Sequence, residues 1–343
     1  MRNVQRYLAI GLAGLCVSGR ATGGPPPLAG QVVVYAALDG EFSEPILTDY
    51  AKRTGTRVLP KFDVESTKTV GLTQSLIAES RRPRCDVFWN NEIINTIRLQ
   101  ERGLLQPFKP TRAGDIPASF KAKDGTWYGL AARARILLVN TKLVAEADRP
   151  TSIHDLTKPK WKGKIGIAKP LFGTTATHAA CLFTAWGDDK AKAYYRALKA
   201  NGVQVFSGNK QVAQAVSSGQ IAFGMTDTDD AMGEIDAHAS VTIIYPDSAP
   251  GEIGTLFIPN TVAILKNAPD PAEALALADA ILSPETETTL AEGPSAQIPL
   301  LKSTKAKPRL SLPAGEPFMK VDFIEAAKNW NKVMTFLAAE FGS

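Results

Sequence analysis

Residues 221–230 read Ile-Ala-Phe-Gly-Met-Thr-Asp-Thr-Asp-Asp, a short apolar run that ends abruptly in aspartates and threonines. A run of this length, bounded by polar residues, predicts a buried strand. In open α/β sheets, ligands bind at the carboxyl ends of the strands, which is where these oxygen-bearing side chains would lie. The three carboxylates suit a hard cation, an amine or a dense hydrogen-bond network, and they equally suit an acidic turn that begins the next helix.

Predicted strands and helices alternate on both sides of this stretch. Their short connections predict an α/β fold with two lobes, each a mainly parallel sheet flanked by helices, and a ligand cleft between the lobes. The first helix is predicted to have Ser43 as its N-cap. The predicted strands cover residues 31–37, 57–63, 85–89, 164–168, 203–206, 221–226, 241–245, 254–259 and 261–265. The predicted helices cover residues 43–54, 67–80, 91–102, 174–186, 188–200, 209–218, 271–282, 284–292 and 318–341.

The first 30 residues have the composition of an export signal followed by a linker. Arg2 and Arg6 precede an apolar run at residues 8–17, and small residues follow it. The run is shorter than the roughly 20 residues that a membrane span needs. We therefore predict residues 1–30 as signal peptide and linker and a periplasmic or extracytoplasmic location, with a lipid anchor at Cys16 as the less favoured alternative.

The charge of the remaining chain argues against nucleic acid as a partner. The net charge is +5, but the first 30 residues hold three arginines and no acidic residue, which leaves +2 for the remainder. This near-neutral remainder contains no basic stripe. Cys85 and Cys181 lie in apolar segments assigned to different lobes, so we expect buried free thiols.

Two arginines and one helix start are candidate anion-binding groups. Arg133 and Arg135 are two residues apart, so a strand would place both guanidinium groups on one face. There they suit a phosphate or carboxylate; alternatively, one pairs with a structural carboxylate and the other lies in solvent. Gly173, Thr174 and Thr175 precede an apolar helix, whose first N–H groups suit an anion or ordinary threonine capping.

The carboxyl ends of the first strands supply further candidates. Right-handed crossovers would place Asp39, Thr67 and the residues after the third strand along one edge of the sheet. Trp89 and Asn91 would line a cleft there, and Glu92 would supply a carboxylate. The alternatives are core packing for Trp89 and, for Glu92, a favourable charge near a helix start.

Common catalytic motifs are absent from the sequence. It contains no P-loop, no G-x-G-x-x-G and no H-E-x-x-H. Residues 207–210 spell S-x-x-K, but the companion motifs of serine β-lactamases are missing. His178 is the one histidine near the predicted cleft. It is either a structural residue or a direct ligand.

Four segments of the chain carry a family resemblance. Residues 133–135, Arg-Ala-Arg, match a G-R-S-R-like strand, and residues 159–166, Pro-Lys-Trp-Lys-Gly-Lys-Ile-Gly, match a P-x-W-K-x-x-I-G segment. Residues 173–175 match an anion-binding helix start, and residues 209–221 resemble an N-S-V-x-x-x-V-x-x-G-x-I run. In this order, over nearly all of the mature chain, they resemble the periplasmic iron(III)-binding proteins of bacterial ABC transporters. These are type II extracellular solute-binding proteins, and the resemblance implies that Asn209 is an anion contact.

The chain departs from this family at the metal ligands. The family's paired tyrosines, which supply phenolate ligands, fall on Asp229 and Asp230. The metal ligands implied here are therefore carboxylates, namely Asp227, Asp229, Asp230 and Glu92, with Asp39 as a further candidate. Carboxylates suit iron(III), Mg²⁺ and Ca²⁺. Some members of the superfamily instead bind phosphorylated organic molecules, which the arginine pair and the threonine-rich helix start would suit.

The resemblance implies a binding protein rather than an enzyme. We expect a monomer that delivers iron(III) or another hard metal, with a synergistic anion, to an ABC permease in the inner membrane; iron(III) would be the transported ligand, with no catalytic cofactor. The first alternative is a binding protein for a phosphorylated organic solute without metal. A less favoured alternative is an extracytoplasmic metal-dependent phosphohydrolase, which lacks an evident nucleophile or general base.

The expected mechanism is closure of two lobes around a hinge. Lobe 1 is assigned to residues 31–133 plus 257–312, and lobe 2 to residues 134–256 plus 313–343. The hinge strands are expected near the two points where the chain passes between the lobes, close to residues 133–139 and 253–259.

Overall fold

The computed structural model describes residues 30–63, 69–315 and 318–342. The predicted signal peptide, Cys16 and Thr67 lie outside the described residues. The strands are β1 (Gln31–Ala36), β2 (Arg57–Phe62), β3 (Val87–Asn90), β4 (Leu105–Gln106), β5 (Trp127–Asn140), β6 (Ile165–Ala168), β7 (Gln204–Phe206), β8 (Phe223–Asp227), β9 (Val241–Ile244) and β10 (Phe257–Leu265). The helices are α1 (Gly40–Thr54), α2 (Val70–Ala78), α3 (Ile94–Glu101), α4 (Gly173–Trp186), α5 (Asp188–Ala200), α6 (Asn209–Ser217), α7 (Thr228–Asp236), α8 (Pro271–Ile281), α9 (Pro284–Glu292) and α10 (Phe323–Phe341).

The strands lie side by side in the sheet in the order β2-β1-β3-β10-β5-β8-β6-β7, and neighbours in this order are hydrogen-bonded. In addition, β4 pairs with β10 and β9 pairs with β5. β1 is parallel to β2 and β3, and β6 is parallel to β7 and β8. β10 and β5 lie between these two parallel groups and pair antiparallel with their neighbours. The α/β class is confirmed, with a parallel group in each half and antiparallel strands connecting the halves.

Strand β5 passes from one half of the sheet to the other. Residues 127–134 pair with β10, and residues 135–140 pair with β8 and β9. All 14 residues of β5 are buried, in agreement with a nearly continuous apolar run. Arg133 and Arg135 interrupt that run, and because a buried charge requires a partner, both guanidinium groups must find one inside the protein.

Three predicted boundaries are wrong for local reasons. The first helix begins at Gly40, and Ser43 lies inside it, with its hydroxyl donating to main-chain carbonyls at the helix start. The two predicted return strands form the single strand β10, with a register irregularity between Pro259 and Asn260, where the facing strand β5 carries one extra residue, Ala131. The last helix begins at Phe323, where the Asp322 side chain accepts hydrogen bonds from the first turn.

Helix α10 packs against both α3 and α4. Its buried side chains recur every three or four residues, the spacing of an amphipathic helix. Cys85 and Cys181 are buried free thiols, as expected. In the described part of the chain, no helix combines the length and the apolar character that crossing a bilayer requires.

Candidate ligand-binding cleft

The candidate site is a cleft of about 410 Å³ at the carboxyl ends of the parallel strands. β1 leads into Asp39, β3 into Asn91, and β8 ends at Asp227. Segments far apart in the chain therefore meet at one edge of the sheet. The predicted site residues that line the cleft are Asp39, Asn91, Arg133, Gly173, Thr174, Thr175, Asn209, Asp227, Asp229 and Asp230.

Two helices begin at the cleft without a side-chain cap. The N-cap of α4 is Phe172 and that of α6 is Gly208, and neither residue has a side-chain acceptor. Gly173 has a φ of 55°, which glycine adopts without steric cost at the tight entry into α4. The first N–H groups of a helix lack intrahelical partners and carry a partial positive charge, so both helix starts favour an anionic ligand.

Arg135 lies behind the cleft wall. It stands opposite Asp227 in the β5–β8 register, and its guanidinium contacts that carboxylate at 2.6 Å. It also donates to Asn209 Oδ1 at 3.0 Å and to the hydroxyls of Thr174 and Thr175 at 3.2 Å each. The prediction that Arg135 contacts the ligand is therefore corrected: it is fully buried, and it positions residues that line the cleft.

Arg133 lines the cleft from the same side of β5. Its guanidinium donates to Asp229 at 3.3 Å and to the main-chain carbonyl of Asn91. Burial by itself disfavours the charged form, but Asp229, Asp227 and two further carboxylates raise the pKa of Arg133 above its ordinary value. Arg133 therefore carries a permanent positive charge at the cleft, and its Nε has no hydrogen-bond partner among the described residues.

Three of the four predicted metal ligands lie together. One carboxylate oxygen from each of Asp227, Asp229 and Asp230 lies within 4.8 Å of the others. Asp229 and Asp230 are also in the first turn of α7, where negative charge complements the helix dipole. The geometry is therefore compatible with both sequence interpretations, a cation site and an acidic helix start.

Asp227 is held by three neighbouring side chains. Its carboxylate accepts hydrogen bonds from Arg135, from the Thr174 hydroxyl and, at 3.0 Å, from Asn209 Nδ2. Burial raises the pKa of Asp227, but the positive charges of Arg135 and Arg133 outweigh that effect and lower it. Asp227 is thus a carboxylate that joins β8 to the starts of α4 and α6.

Glu92 is not brought to the cleft, and its prediction as a metal ligand is corrected. Its carboxylate accepts hydrogen bonds from the main-chain N–H groups of Ile94 at 2.6 Å and Asn95 at 2.9 Å. Asn90 Nδ2 donates to it at 2.9 Å and the Thr177 hydroxyl at 2.7 Å. These donors occupy both oxygens at the start of α3, so the alternative role at a helix start is the observed one.

Trp89 is likewise a core residue and not a cleft residue. Its side chain is fully buried and belongs to the apolar cluster that also contains Val34, Leu47 and Val262. The same cluster contains Leu47 of α1 and Leu277 of α8, so the Trp89 side chain points to the face of the sheet that these two helices cover. The core-packing alternative for Trp89 is therefore the observed one.

His178 is a structural residue of α4 and does not line the cleft. Burial, and to a lesser extent the positive charge of Arg135, lower the pKa of His178 to about 3, against a smaller opposing effect of Asp227. The imidazole is therefore neutral at neutral pH.

This pKa predicts acid sensitivity. In the unfolded chain His178 titrates near 6.5, so between this pH and about 3 the unfolded state binds a proton that the folded state does not. We expect the free energy of unfolding to fall with decreasing pH in this range, with a slope from His178 that approaches about 1.4 kcal/mol per pH unit. Urea denaturation between about pH 5 and pH 7 measures this slope.

The control for this prediction is a second histidine. His178→Met is expected to lose the slope, whereas His238→Asn, at an exposed position outside the cleft, is expected to keep it. Equal slopes in the wild-type protein and His178→Met would contradict the assignment.

The sequence interpretation missed part of the cleft wall. Lys169, Phe172, Ser207 and Gly208 also line it. Lys169 directly follows β6 and Ser207 directly follows β7. The rule that selected Asp39 and Asn91, that polar residues after parallel strands share one sheet edge, would have found both.

An ion pair lies beside the cleft. Lys210, next to the cleft-lining Asn209, contacts Glu41 of α1 at 3.1 Å. Both side chains are about half exposed, so the pair adds at most about 1 kcal/mol. It connects α1 and α6, which approach the cleft from different halves of the sheet.

Comparison with known proteins identifies relatives. Residues 96–329 match a family model described as bacterial extracellular solute-binding protein. The Fe(3+)-binding periplasmic protein of Serratia marcescens is 25% identical over 194 residues, which cover 57% of this chain and 56% of that protein. The chain thus spans less than three fifths of the length of this curated relative.

Solved structures resemble the whole described fold. Iron-bound HitA from Pseudomonas aeruginosa has a TM-score of 0.81 at 23% identity, covering 91% of this chain and 99% of HitA. AfuA from Actinobacillus pleuropneumoniae, a periplasmic binding protein with bound fructose-6-phosphate, has a TM-score of 0.81 at 22% identity, covering 92% and 99%. These similarities confirm the predicted two-lobed type II periplasmic-binding fold with a ligand cleft between the lobes.

Proposed function

Because the chain belongs to the bacterial extracellular solute-binding protein family, whose members are transport proteins and not enzymes, we propose that it is the ligand-binding component of an ABC importer. Its ligand is iron(III) or another hard metal bound together with a synergistic anion. The observation that carries this proposal is the composition of the cleft, which combines a carboxylate cluster with two uncapped helix starts and a buried arginine.

The carboxylate cluster is the cation-binding part of the proposed site. Oxygen ligands within 4.8 Å of one another, from Asp227, Asp229 and Asp230, suit a hard cation. The starts of α4 and α6 and the guanidinium of Arg133 suit the anion. A metal–anion pair neutralises both parts of the cleft at once, which neither ion does alone. The Serratia relative, named as an Fe(3+)-binding protein, supports iron(III) as the metal.

Lobe closure is the proposed mechanism of capture. We assign lobe 1 to residues 31–133 plus 257–312 and lobe 2 to residues 134–256 plus 313–343. The switch of β5 from β10 to β8 between Ala134 and Arg135 supports a hinge at that point. The proposal places the protein outside the cytoplasm as a monomer that presents its ligand to a permease in the inner membrane.

A second candidate ligand is a phosphorylated organic solute without metal. Two observations favour it: the Asp227 carboxylate is already hydrogen-bonded within the protein, and no tyrosine lines the cleft in the described part of the chain. The hydroxyl of Tyr35 donates to Glu79 at 2.9 Å outside the cleft. In this alternative the phosphate binds at the helix starts, and the aspartates accept hydrogen bonds from hydroxyl groups. AfuA, with its bound fructose-6-phosphate, supports this candidate.

Thermal unfolding of the ligand-stripped protein separates the two candidates. A ligand that binds only the folded state stabilises it by about 2.7 kcal/mol at 100 times its Kd. If the first candidate holds, the midpoint rises with iron(III) plus citrate or phosphate and does not rise with a sugar phosphate alone. If the second holds, sugar phosphates raise it in the presence of a chelator. No shift with any of these ligands, together with a small-angle scattering profile that none of them changes, would contradict the proposed function.

A further inference from the structure

Lys169 is a cation of the cleft wall that the metal–anion proposal does not use. It directly follows β6, and its main-chain N–H donates to the carbonyl of Phe206 at 2.8 Å, which holds it beside the end of β7. Lys169 is partly buried and lines the cleft together with Phe172 and Gly208, the N-caps of α4 and α6. Lys169 therefore shares the cleft wall with two uncapped helix starts.

The positive charge of Lys169 is not neutralised by the protein. Arg133 contacts Asp229 and Arg135 contacts Asp227, so both arginines of the site are paired. In the described residues the Lys169 ammonium forms neither an ion pair nor a hydrogen bond.

The acidic residue of the groove on the other side of Lys169 is already paired. Lys169 borders a surface groove that includes Glu340. The Glu340 carboxylate contacts Arg196 at 3.0 Å and Lys199 at 3.4 Å. Among the described residues, Lys169 therefore has no ion-pair partner in the groove or in the cleft.

Buried polar atoms of the same cleft independently indicate a ligand. Arg133 Nε and Asn91 Oδ1 have no hydrogen-bond partner in the described part of the chain, and the two residues are 3% and 1% exposed. Both residues line the cleft. A buried donor or acceptor without a partner is costly, so these atoms are expected to gain partners when the cleft is filled.

We infer that Lys169 is the residue that selects a dianionic phosphoryl group at the starts of α4 and α6. Each helix start contributes roughly half a positive charge and Lys169 contributes one, which gives about +2 at one end of the cleft. A phosphoryl group carries about −1.5 to −2 at pH 7, whereas bicarbonate or a carboxylate carries about −1. This inference rests on the proposed function and deepens it: the phosphoryl group is free phosphate beside a metal in one case and the phosphate of an organic solute in the other.

The test compares Lys169→Gln, Lys169→Arg and the control Lys199→Gln, which removes an exposed lysine of the adjoining groove. Calorimetric titrations use inorganic phosphate, a hexose monophosphate and bicarbonate, each with and without iron(III). We expect Lys169→Gln to weaken phosphoryl binding by at least about tenfold, the usual size of a hydrogen bond to a charged group, and bicarbonate binding by less than about threefold. Lys169→Arg is expected to restore most of the affinity, and Lys199→Gln to have no effect.

A pH series adds a readout that a merely structural lysine would not change. The second pKa of phosphate is about 6, so affinity in the wild-type protein is expected to rise between about pH 5.5 and pH 7.5 and to rise less in Lys169→Gln. The phosphate and hexose monophosphate titrations distinguish the two sources of the phosphoryl group. Equal phosphoryl affinity in Lys169→Gln and the wild-type protein would overturn this inference alone. No binding by the wild-type protein in any titration would overturn the proposed function as well.

Discussion

Arg135→Met is expected to lower the free energy of unfolding by about 3–5 kcal/mol, the usual cost of removing one partner of a buried ion pair. The reason is that Asp227 is 2% exposed and would be left as a buried carboxylate that has lost its closest counter-charge. The loss extends to Thr174, Thr175 and Asn209, which Arg135 holds at the starts of α4 and α6. Urea denaturation followed by circular dichroism measures the effect.

Two controls isolate the ion pair. Arg309→Met removes the partner of Asp236 in a partly exposed pair, so we expect a loss below about 1 kcal/mol. Arg135→Met combined with Asp227→Leu removes both charges and is expected to recover much of the stability, because two apolar side chains leave no unpaired charge. A loss below about 1 kcal/mol in Arg135→Met alone would contradict the structural role assigned to this arginine.

The ion pair of Arg135 and Asp227 also predicts how the stability of the protein depends on pH. The folded-state pKa of Asp227 is lowered from 3.8, so its contribution to stability is present above that pH and is lost as the pH falls through the folded-state value. Protonation of Asp227 also removes the buried negative charge that destabilises Arg135→Met. The difference in stability between the wild-type protein and this variant is therefore expected to shrink as the pH falls, first as the unpaired Asp227 of the variant takes up a proton and then as Asp227 of the wild-type protein does.

Asp229→Asn combined with Asp230→Asn is expected to weaken metal-dependent binding by at least about 100-fold, since loss of outer-shell partners alone costs a metal site 10–100-fold. An amide replaces each carboxylate at nearly constant volume, and it provides one neutral oxygen in place of a charged ligand. Binding of a sugar phosphate is expected to weaken much less, because the helix starts are unchanged and each amide oxygen still accepts a hydrogen bond from a sugar hydroxyl. Titration with iron(III) in the presence of phosphate, and with the sugar phosphate alone, measures both effects.

Asp49→Asn is the matched control for this pair of substitutions. It removes an exposed carboxylate of α1 that pairs with Arg53 outside the cleft, and it is expected to leave both titrations unchanged. Undiminished iron(III)-dependent binding in the Asp229 and Asp230 double variant would exclude these carboxylates as ligands and leave the phosphorylated solute as the better candidate.

The sequence was sufficient to predict which edge of the sheet holds the cleft, because that edge is indicated by features only a few residues long. Apolar runs that end in Asp, Asn or Thr predicted both the strands and the side at which their polar residues collect. Asp39, Asn91 and Asp227 were found in this way, and Lys169 and Ser207 obey the same rule. The long β5 was recognised only around its arginines, because a strand that is buried on both faces has no alternating pattern.

The sequence by itself determined the α/β class, the alternation of strands and helices, and the residues gathered at the carboxyl edge, because each depends on neighbours a few positions away. Only the tertiary structure decided the role of each charge. Arg133 and Arg135 share one strand face, yet Thr174, Asn209 and Asp227 surround Arg135 from segments 39 to 92 residues away. The Glu92 carboxylate is not available to a ligand, because donors that include the Thr177 hydroxyl, 85 residues away, already bind it. A side chain binds a ligand or the protein according to the donors that remain within reach, and those distances exist only in the folded chain.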